Sequence, residues 1–218
     1  LMLGDKKLWA SGVTYGPFSP SADGTPYPSR TVVERDFTAM AANGFNTVRV
    51  YTVPPRWLLD AAANHGLRVM VGVPWEQHLC FLDDRRRMRA IEQRVREDAR
   101  VLARHPALLC LAIGNEIPAP IVRWHGPRAV AAHLERLYEA VKDEDPDALV
   151  TYVNYPTTEY LELPFLDLVC FNVYLEAPDR LNAYLARLHN IAGDRPLLLG
   201  ELGLDGLRRG EEGQAASL

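Results

Sequence analysis

The sequence alternates between short apolar segments and longer amphipathic ones along most of its 218 residues. The short segments are almost continuously apolar and rich in β-branched residues, as expected for strands that are buried on both faces of a sheet. They occupy residues 8–14, 47–51, 67–73, 108–113, 149–153, 166–172 and 197–199. This pattern predicts seven parallel strands that are separated by helices.

The segments between these strands carry helix signals. The first begins at Ser29 and ends before Gly44, and the second begins with Pro55 and ends before Gly66, which are typical capping residues. Further helices are predicted at 88–104, 127–142 and 179–191, with a shorter one at 158–163. Each strand and its helix take about 25–40 residues, which is the size of a βα unit.

A doubly wound sheet and a (β/α)8 TIM barrel both have this rhythm. The barrel is favoured because polar and aromatic residues follow the strands, where TIM barrels hold their active sites. These residues are Tyr15, Tyr51, Trp75, Glu76, Asn115, Glu116, Asn154, Tyr174 and Glu201. In addition, no Gly-x-Gly-x-x-Gly motif follows the first strand, which disfavours a dinucleotide-binding sheet. The fold class is therefore predicted to be α/β, a (β/α)8 TIM barrel.

The length indicates an incomplete barrel. Barrels of this class usually have about 250 residues, whereas this sequence ends soon after the seventh predicted strand. We expect one domain over residues 1–218, truncated after strand 7, with 206–218 as a loop or frayed tail. The chain starts with Leu1 and its first residues do not resemble a signal peptide. We expect this chain to be a piece of a larger multidomain protein. Its localisation is therefore open, and we expect it to be cytoplasmic if the chain is near full length.

Composition narrows the possible partners. The net charge is −4, and the basic run at residues 85–89 is followed by acidic residues, as on a solvated helix face. No nucleic-acid partner is expected, because such proteins usually carry a clustered basic surface. No apolar stretch reaches about 18 residues, so no membrane segment is expected. The three cysteines lack metal-ligand spacing and are predicted to be free thiols.

Two glutamates carry the strongest chemical signal. Glu116 follows an apolar strand in the string Ile-Gly-Asn-Glu-Ile-Pro, and Glu201 follows another in Leu-Leu-Gly-Glu-Leu-Gly. A carboxylate at the end of an apolar strand costs free energy unless it is paired or used. Two such groups at one barrel mouth could protonate a leaving oxygen and attack an anomeric carbon. We predict Glu116 as general acid/base and Glu201 as nucleophile.

With these strings the sequence resembles clan A glycoside hydrolases, in detail the family 2 type TIM-barrel domain, and the family 17 β-1,3-glucanase type closely behind. The resemblance covers residue 9 to about residue 205. It implies that Asn115 contacts the sugar 2-hydroxyl, that Arg49 lies near the nucleophile and that Tyr174 hydrogen-bonds it. The family's aromatic platform at the end of strand eight has no counterpart in this sequence.

The other strand-end residues are candidates for binding the sugar. Trp75, Tyr15 and Tyr51 could stack on pyranose rings, while Glu76 and Asn154 could bind hydroxyl groups. The predicted function is retaining hydrolysis of a β-linked glucan or related oligosaccharide by double displacement. Neither a cofactor nor a metal is expected, since no His-x-His follows the first strand. A β-glucan transglycosylase using the same glutamates and a non-catalytic carbohydrate-binding barrel stay open as alternatives.

Overall fold

The computed structural model describes residues 1–20 and 24–216. A short antiparallel hairpin comes first, with β1 at Met2–Leu3 and β2 at Lys6–Lys7. The other strands are β3 (Gly12–Thr14), β4 (Thr47–Val50), β5 (Arg68–Gly72), β6 (Leu108–Asn115), β7 (Val150–Asn154), β8 (Val169–Val173) and β9 (Leu197–Leu202). The α-helices are α1 (Arg30–Ala42), α2 (Arg56–Asn64), α3 (Arg85–Leu102), α4 (Ala119–His125), α5 (Pro127–Glu144), α6 (Pro178–Ala192) and α7 (Gly206–Ala216).

Strands β3 to β9 form one sheet, in which every strand pairs in parallel with the next along the chain. Helices connect most of the successive strands, as in a barrel of βα units. The sheet thus forms a nearly closed TIM barrel of seven strands within the described residues, where no pairing joins β3 to β9. The predicted fold class and its truncation at strand seven are confirmed.

The strands are buried because their two faces pack against different layers. Val48 and Val50 belong to the large cluster that also contains apolar residues of α2, α3 and α5. Met70, Cys110 and Cys170 belong to a second cluster, and Leu8 packs against it beside the hairpin. Arg49 shares the register position of Met70, so its side chain lies on the same face as this second cluster. The continuous apolar character of the strands is explained by this double burial.

The segment 158–163 was predicted to be a helix, and this prediction is wrong. The structure has a single 3₁₀ turn at Pro156–Thr158 instead. The Asn154 side chain accepts hydrogen bonds from the Tyr155 N–H at 2.9 Å and the Thr158 hydroxyl at 2.6 Å. These side-chain bonds close a tight turn, which competes with a helix.

The tail was predicted to be a loop or frayed segment, whereas the structure has helix α7 there. It consists of two helical stretches that meet at a kink at Gly210, whose φ is 70°. The Asp205 carboxylate accepts the Leu207 N–H at 3.0 Å and so supports the first turn. The glycines of this segment weaken its helix propensity, and for that reason the sequence pattern predicted a loop. The cap at Asp205 stabilises the start of the helix. Residues 217 and 218 lie outside the described residues.

The helices and the ionisable side chains of the described residues bear on membrane and metal binding. Helices in the described ranges are either too short or too polar to cross a bilayer. The same residues contain no group of three or more histidine, cysteine, aspartate and glutamate side chains that could hold a metal ion. All three cysteines are free, with Cys110 and Cys170 buried.

His133 on α5 is a buried histidine. Its ring packs against Trp75 and Phe81, at centroid distances of 5.6 and 5.2 Å. Nδ1 lies 3.3 Å from an Arg136 nitrogen, while Nε2 has no hydrogen-bond partner among the residues that the structure describes. The apolar face of an imidazole fills this aromatic cluster, which the sequence pattern of a helix does not reveal.

The burial of His133 predicts a loss of stability in acid. Burial, helped by the charge of Arg136, lowers the pKa of His133 from 6.5 to about 4. Between these pH values the unfolded chain binds a proton that the folded chain does not bind, so stability falls as the pH falls from 6.5 to 4. The expected contribution is about 3 kcal/mol. Urea unfolding should show this slope in the wild type.

The test variant is His133→Phe. Its matched control is His189→Phe, at an exposed position on α6. The first variant should lose this part of the pH dependence, and the second should keep it. Equal slopes for His133→Phe and the wild type between pH 4 and 6.5 would contradict the assignment.

Candidate active site

The carboxyl ends of β4, β6, β8 and β9 bring one group of polar side chains together. Arg49 comes from β4, Asn115 and Glu116 from the end of β6, Asn172 from β8 and Glu201 from β9. Because all seven strands are parallel, these ends meet at the same edge of the barrel. Arg49 and Asn172 are buried there.

Glu201 is held on both of its carboxylate oxygens. Its Oε1 pairs with Arg49 Nη1 at 2.9 Å and accepts the Tyr51 hydroxyl at 3.1 Å. Its Oε2 accepts the hydroxyl of Tyr174. The charged guanidinium and two phenol donors stabilise the ionised carboxylate and fix its orientation.

Both tyrosines are neutral donors over the ordinary pH range. Burial raises the pKa of Tyr51, although the charge of Arg49 opposes this effect. Desolvation of its hydroxyl and the hydrogen bond to Glu201 raise the pKa of Tyr174, although much of its ring is exposed. Each phenol therefore keeps its proton and can donate a hydrogen bond to Glu201.

Arg49 also orients two amide side chains. Its Nη2 donates to Asn115 Oδ1 at 2.6 Å, and its Nη1 donates to Asn172 Oδ1 at 3.1 Å. A guanidinium has only donors, so the oxygen of each amide must face it. The NH₂ groups of both amides consequently point away from Arg49.

Glu116 has a different environment from Glu201. Its Oε1 accepts the Asn172 Nδ2 group at 2.7 Å. Its backbone has a φ of 50°, in the left-handed region that is uncommon for residues other than glycine. Its N–H donates to Val153 O at 2.9 Å, which ties this turn to β7. Such strained conformations persist only where surrounding contacts enforce them, and they cluster at functional sites.

Gln77 clamps the residue that precedes Glu116. Its Oε1 accepts the Asn115 N–H at 2.8 Å, and its Nε2 donates to the Asn115 carbonyl. Gly72, the last residue of β5, pairs with Ala112, and β6 continues from there to Asn115. Beside this last part of β6, the Gln77 amide takes the place of a neighbouring strand.

Gln77 and Asn172 are site residues that sequence reasoning missed. Gln77 follows two predicted candidates, Trp75 and Glu76, but nothing in the string marks it as the one that reaches β6. Asn172 is a polar residue within the apolar string Cys-Phe-Asn-Val-Tyr. A buried polar residue in a strand requires a partner, and this signal could have identified it.

Four predicted sugar-binding residues do not join the glutamates. The Tyr15 hydroxyl donates to Asp36 on α1 at 2.9 Å, and its ring is buried against Phe18 and Phe37. Asn154 is buried in its own turn, as described above. The polar groups of Tyr15 and Asn154 hydrogen-bond other residues of the fold instead of facing the glutamates. A position after a strand does not reveal such partners in the sequence.

Trp75 and Glu76 also have partners outside the glutamate network. The Trp75 indole is buried and donates to the Ile113 carbonyl at 2.8 Å. Glu76 pairs with Arg94 of α3 at 3.2 Å, and a backbone hydrogen bond, followed by this arginine, lowers the pKa of its carboxyl. Of the eight predicted binding residues, Asn115, Arg49, Tyr174 and Tyr51 lie beside the two glutamates.

Gly200 leaves the space that Arg49 occupies. A Cβ atom at this position would lie 2.9 Å from Arg49 Nη1 and 2.9 Å from Asn172 Oδ1. We expect Gly200→Ala to displace this pair, costing about 1–3 kcal/mol of stability and lowering kcat/KM on the order of 10²-fold. Urea unfolding and an aryl β-glycoside assay of the full protein would measure both.

Gly206→Ala is the matched control for this prediction. A Cβ atom there would meet Gln214 Oε1 at 3.5 Å, an ordinary contact. We expect this variant to keep the wild-type kcat/KM. A Gly200→Ala variant with wild-type activity would show that the position of the Arg49 side chain is not critical.

Residues 5–213 match the profile described as glycosyl hydrolases family 2, TIM barrel domain. The chain belongs to this family. The resemblance noted from Asn115-Glu116 and Glu201 is therefore confirmed at the level of the family 2 barrel domain. No curated protein matches the chain.

Several solved structures share the fold of this family 2 domain. Bacteroides uniformis β-glucuronidase 2, covalently bound to cyclophellitol-6-carboxylate aziridine, superposes with a TM-score of 0.73 at 21% identity, covering 89% of this chain and 25% of that one. For Bifidobacterium dentium β-glucuronidase complexed with coumarin-3-O-glucuronide the values are 0.72, 19%, 90% and 33%. For Ruminococcus gnavus β-glucuronidase with D-glucuronic acid they are 0.76, 14%, 93% and 36%. The chain thus spans about a quarter to a third of these proteins.

Proposed function

We propose that the protein containing this domain hydrolyses β-glycosides with retention of configuration, using Glu201 as nucleophile and Glu116 as general acid/base. The observation that carries the proposal is the difference between the two carboxyl groups at one barrel edge. Arg49, Tyr51 and Tyr174 donate to both oxygens of Glu201, whereas among the described residues Glu116 accepts from one neutral amide. Carboxyl groups in such different environments suit one nucleophile and one acid.

The two groups would act in two steps. In the first, a Glu201 oxygen forms a bond to the anomeric carbon while the bond to the leaving oxygen breaks, and Glu116 gives that oxygen its proton. In the second, Glu116 takes a proton from water as the water oxygen attacks the anomeric carbon, and the bond to Glu201 breaks. The sugar leaves with its original configuration, and both side chains regain their starting protonation.

The neighbouring residues would position the substrate and the nucleophile. Because Asn115 Oδ1 faces Arg49, its NH₂ group is available, and we assign it to the sugar 2-hydroxyl. Arg49 and Tyr174 keep Glu201 charged and oriented for attack. Tyr51 shares this task, in place of the sugar stacking that its position after a strand suggested.

The sugar is the open part of the proposal. A β-linked glucan or related oligosaccharide fits the residues, whereas the structural relatives are named as β-glucuronidases. A panel of aryl β-glucosides, β-glucuronides, β-galactosides and β-mannosides, together with β-glucans, would identify the preferred class. Oligosaccharide products longer than the substrate would indicate transglycosylation, and binding without turnover would indicate a non-catalytic barrel.

The test of the mechanism is the stereochemistry of the first product. Proton NMR of the full protein acting on its preferred β-glycoside should show the β-anomer of the sugar first, followed by mutarotation. Initial release of the α-anomer would contradict double displacement, because inversion requires water rather than Glu201 to attack.

A further inference from the structure

The amide of Asn172 lies between the two proposed catalytic groups and has a fixed orientation. Its Oδ1 accepts from Arg49 Nη1 at 3.1 Å, and its Nδ2 donates to Glu116 Oε1 at 2.7 Å. Rotating the amide by 180° would place an NH₂ group against a guanidinium, which only donates. The residue is 1% exposed, so water cannot replace either contact. Arg49 therefore fixes which group Asn172 presents to Glu116.

We propose that Asn172 is a positioning residue for the general acid, holding Oε1 of Glu116 by an N–H donor so that the acid carries its proton on Oε2. The carbonyl oxygen of a carboxylic acid accepts a hydrogen bond better than its hydroxyl oxygen does, so the Nδ2 donor favours Oε1 as the carbonyl oxygen. Within the described residues, Oε2 accepts no hydrogen bond. This inference rests on the proposed function, in which Glu116 is the acid. It identifies Oε2 as the oxygen that delivers the proton to the leaving group.

The other ionisable groups near Glu116 do not compete for this role. The phenol of Tyr152 on β7 interacts electrostatically with Glu116, and burial raises the pKa of this tyrosine. The phenol of Tyr174, beyond the end of β8, also interacts with Glu116 and has a raised pKa. Both stay neutral at ordinary pH. Arg49 contacts the opposite end of the Asn172 amide, and Glu201 pairs with Arg49.

This arrangement has a consequence for the pH dependence of the reaction. A hydrogen bond donated to a carboxylate favours its ionised form, and a second carboxylate beside it favours the protonated form. Replacing the amide of Asn172 by a carboxylate of the same shape would exchange the first effect for the second. The alkaline limb of the kcat/KM profile, where the acid is lost, should then move to higher pH.

The experiment compares Asn172→Asp with the wild type in the full protein. The aspartate keeps one oxygen toward Arg49 and places the other at Glu116 Oε1, where the two groups can share a proton. We expect the alkaline limb to move upward by about one pH unit. The matched control is Asn154→Asp, another buried asparagine on a strand, whose side-chain contacts stay within its own turn. Its limb should stay at the wild-type pH.

An unmoved alkaline limb in folded Asn172→Asp would overturn the inference. If circular dichroism shows that this variant is not folded, Asn172→Ala takes its place. Its limb should move in the same direction, because ionised Glu116 loses a donor, and an unmoved limb would again count against the inference. A different measurement would reveal failure of the proposed function itself. In that case the Glu116→Ala variant would lose the same rate with good and with poor leaving groups.

Discussion

Replacing Glu201 with glutamine is expected to lower kcat/KM toward aryl β-glycosides by on the order of 10⁴-fold or more. The amide has the shape of the carboxylate but cannot form the glycosyl-enzyme bond. It also loses the charge that pairs with Arg49 at 2.9 Å. Initial-rate kinetics on the full protein, with circular dichroism to verify folding, would measure this effect.

Glu159 provides the control for this substitution. It is also bonded by an arginine and a tyrosine, with Arg187 Nη2 at 2.6 Å and the Tyr184 hydroxyl at 3.0 Å. These partners lie on α6, on the outside of the barrel. Glu159→Gln should retain wild-type kinetics. A Glu201→Gln variant that keeps more than a few per cent of the wild-type rate would show that another group is the nucleophile.

Glu116→Ala is expected to have an effect that depends on the leaving group. With substrates whose leaving oxygen is a poor leaving group, kcat/KM should fall about 10²- to 10⁴-fold, because proton transfer is lost. With activated aryl glycosides the first step needs little protonation and should be nearly unchanged. Azide should restore the second step by attacking the glycosyl-enzyme, giving a β-glycosyl azide.

The comparison variant for this prediction is Glu135→Ala, at an exposed position on α5. It should not alter the rate with either kind of substrate. An equal loss for good and poor leaving groups in Glu116→Ala would indicate a structural carboxylate rather than an acid.

Much of the fold could be predicted because burial on both faces leaves a continuous apolar string. All seven predicted strand segments overlap the observed strands, and residues 108–113 extend only by two positions in β6. Predictions were wrong where local side-chain bonds determine the backbone. The turn closed by Asn154 and the helix capped by Asp205 depend on such bonds, which compete with the propensity of the segment.

The geometry of the candidate site could be predicted where a carboxylate follows an apolar strand. Glu116 and Glu201 stand out because a carboxylate after an apolar strand needs a partner. Tyr15 and Trp75 occupy similar positions, yet their polar atoms bond Asp36 and the Ile113 carbonyl. The direction of a side chain at a strand end depends on tertiary packing, and this information is not contained in the strand pattern. Asn172 was missed because it lies within β8, whereas the predicted candidates were the residues that follow each strand.

The central claim is that Glu201 forms a covalent bond to the sugar. An activated 2-deoxy-2-fluoro-β-glycoside of the preferred sugar should inactivate the full protein by trapping this intermediate, because the fluorine slows its hydrolysis. Peptide mass spectrometry of the inactivated protein should locate one glycosyl group on Glu201, and the Glu201→Gln variant should remain unlabelled. A label on Glu116, or turnover by a protein that never becomes labelled, would contradict the account.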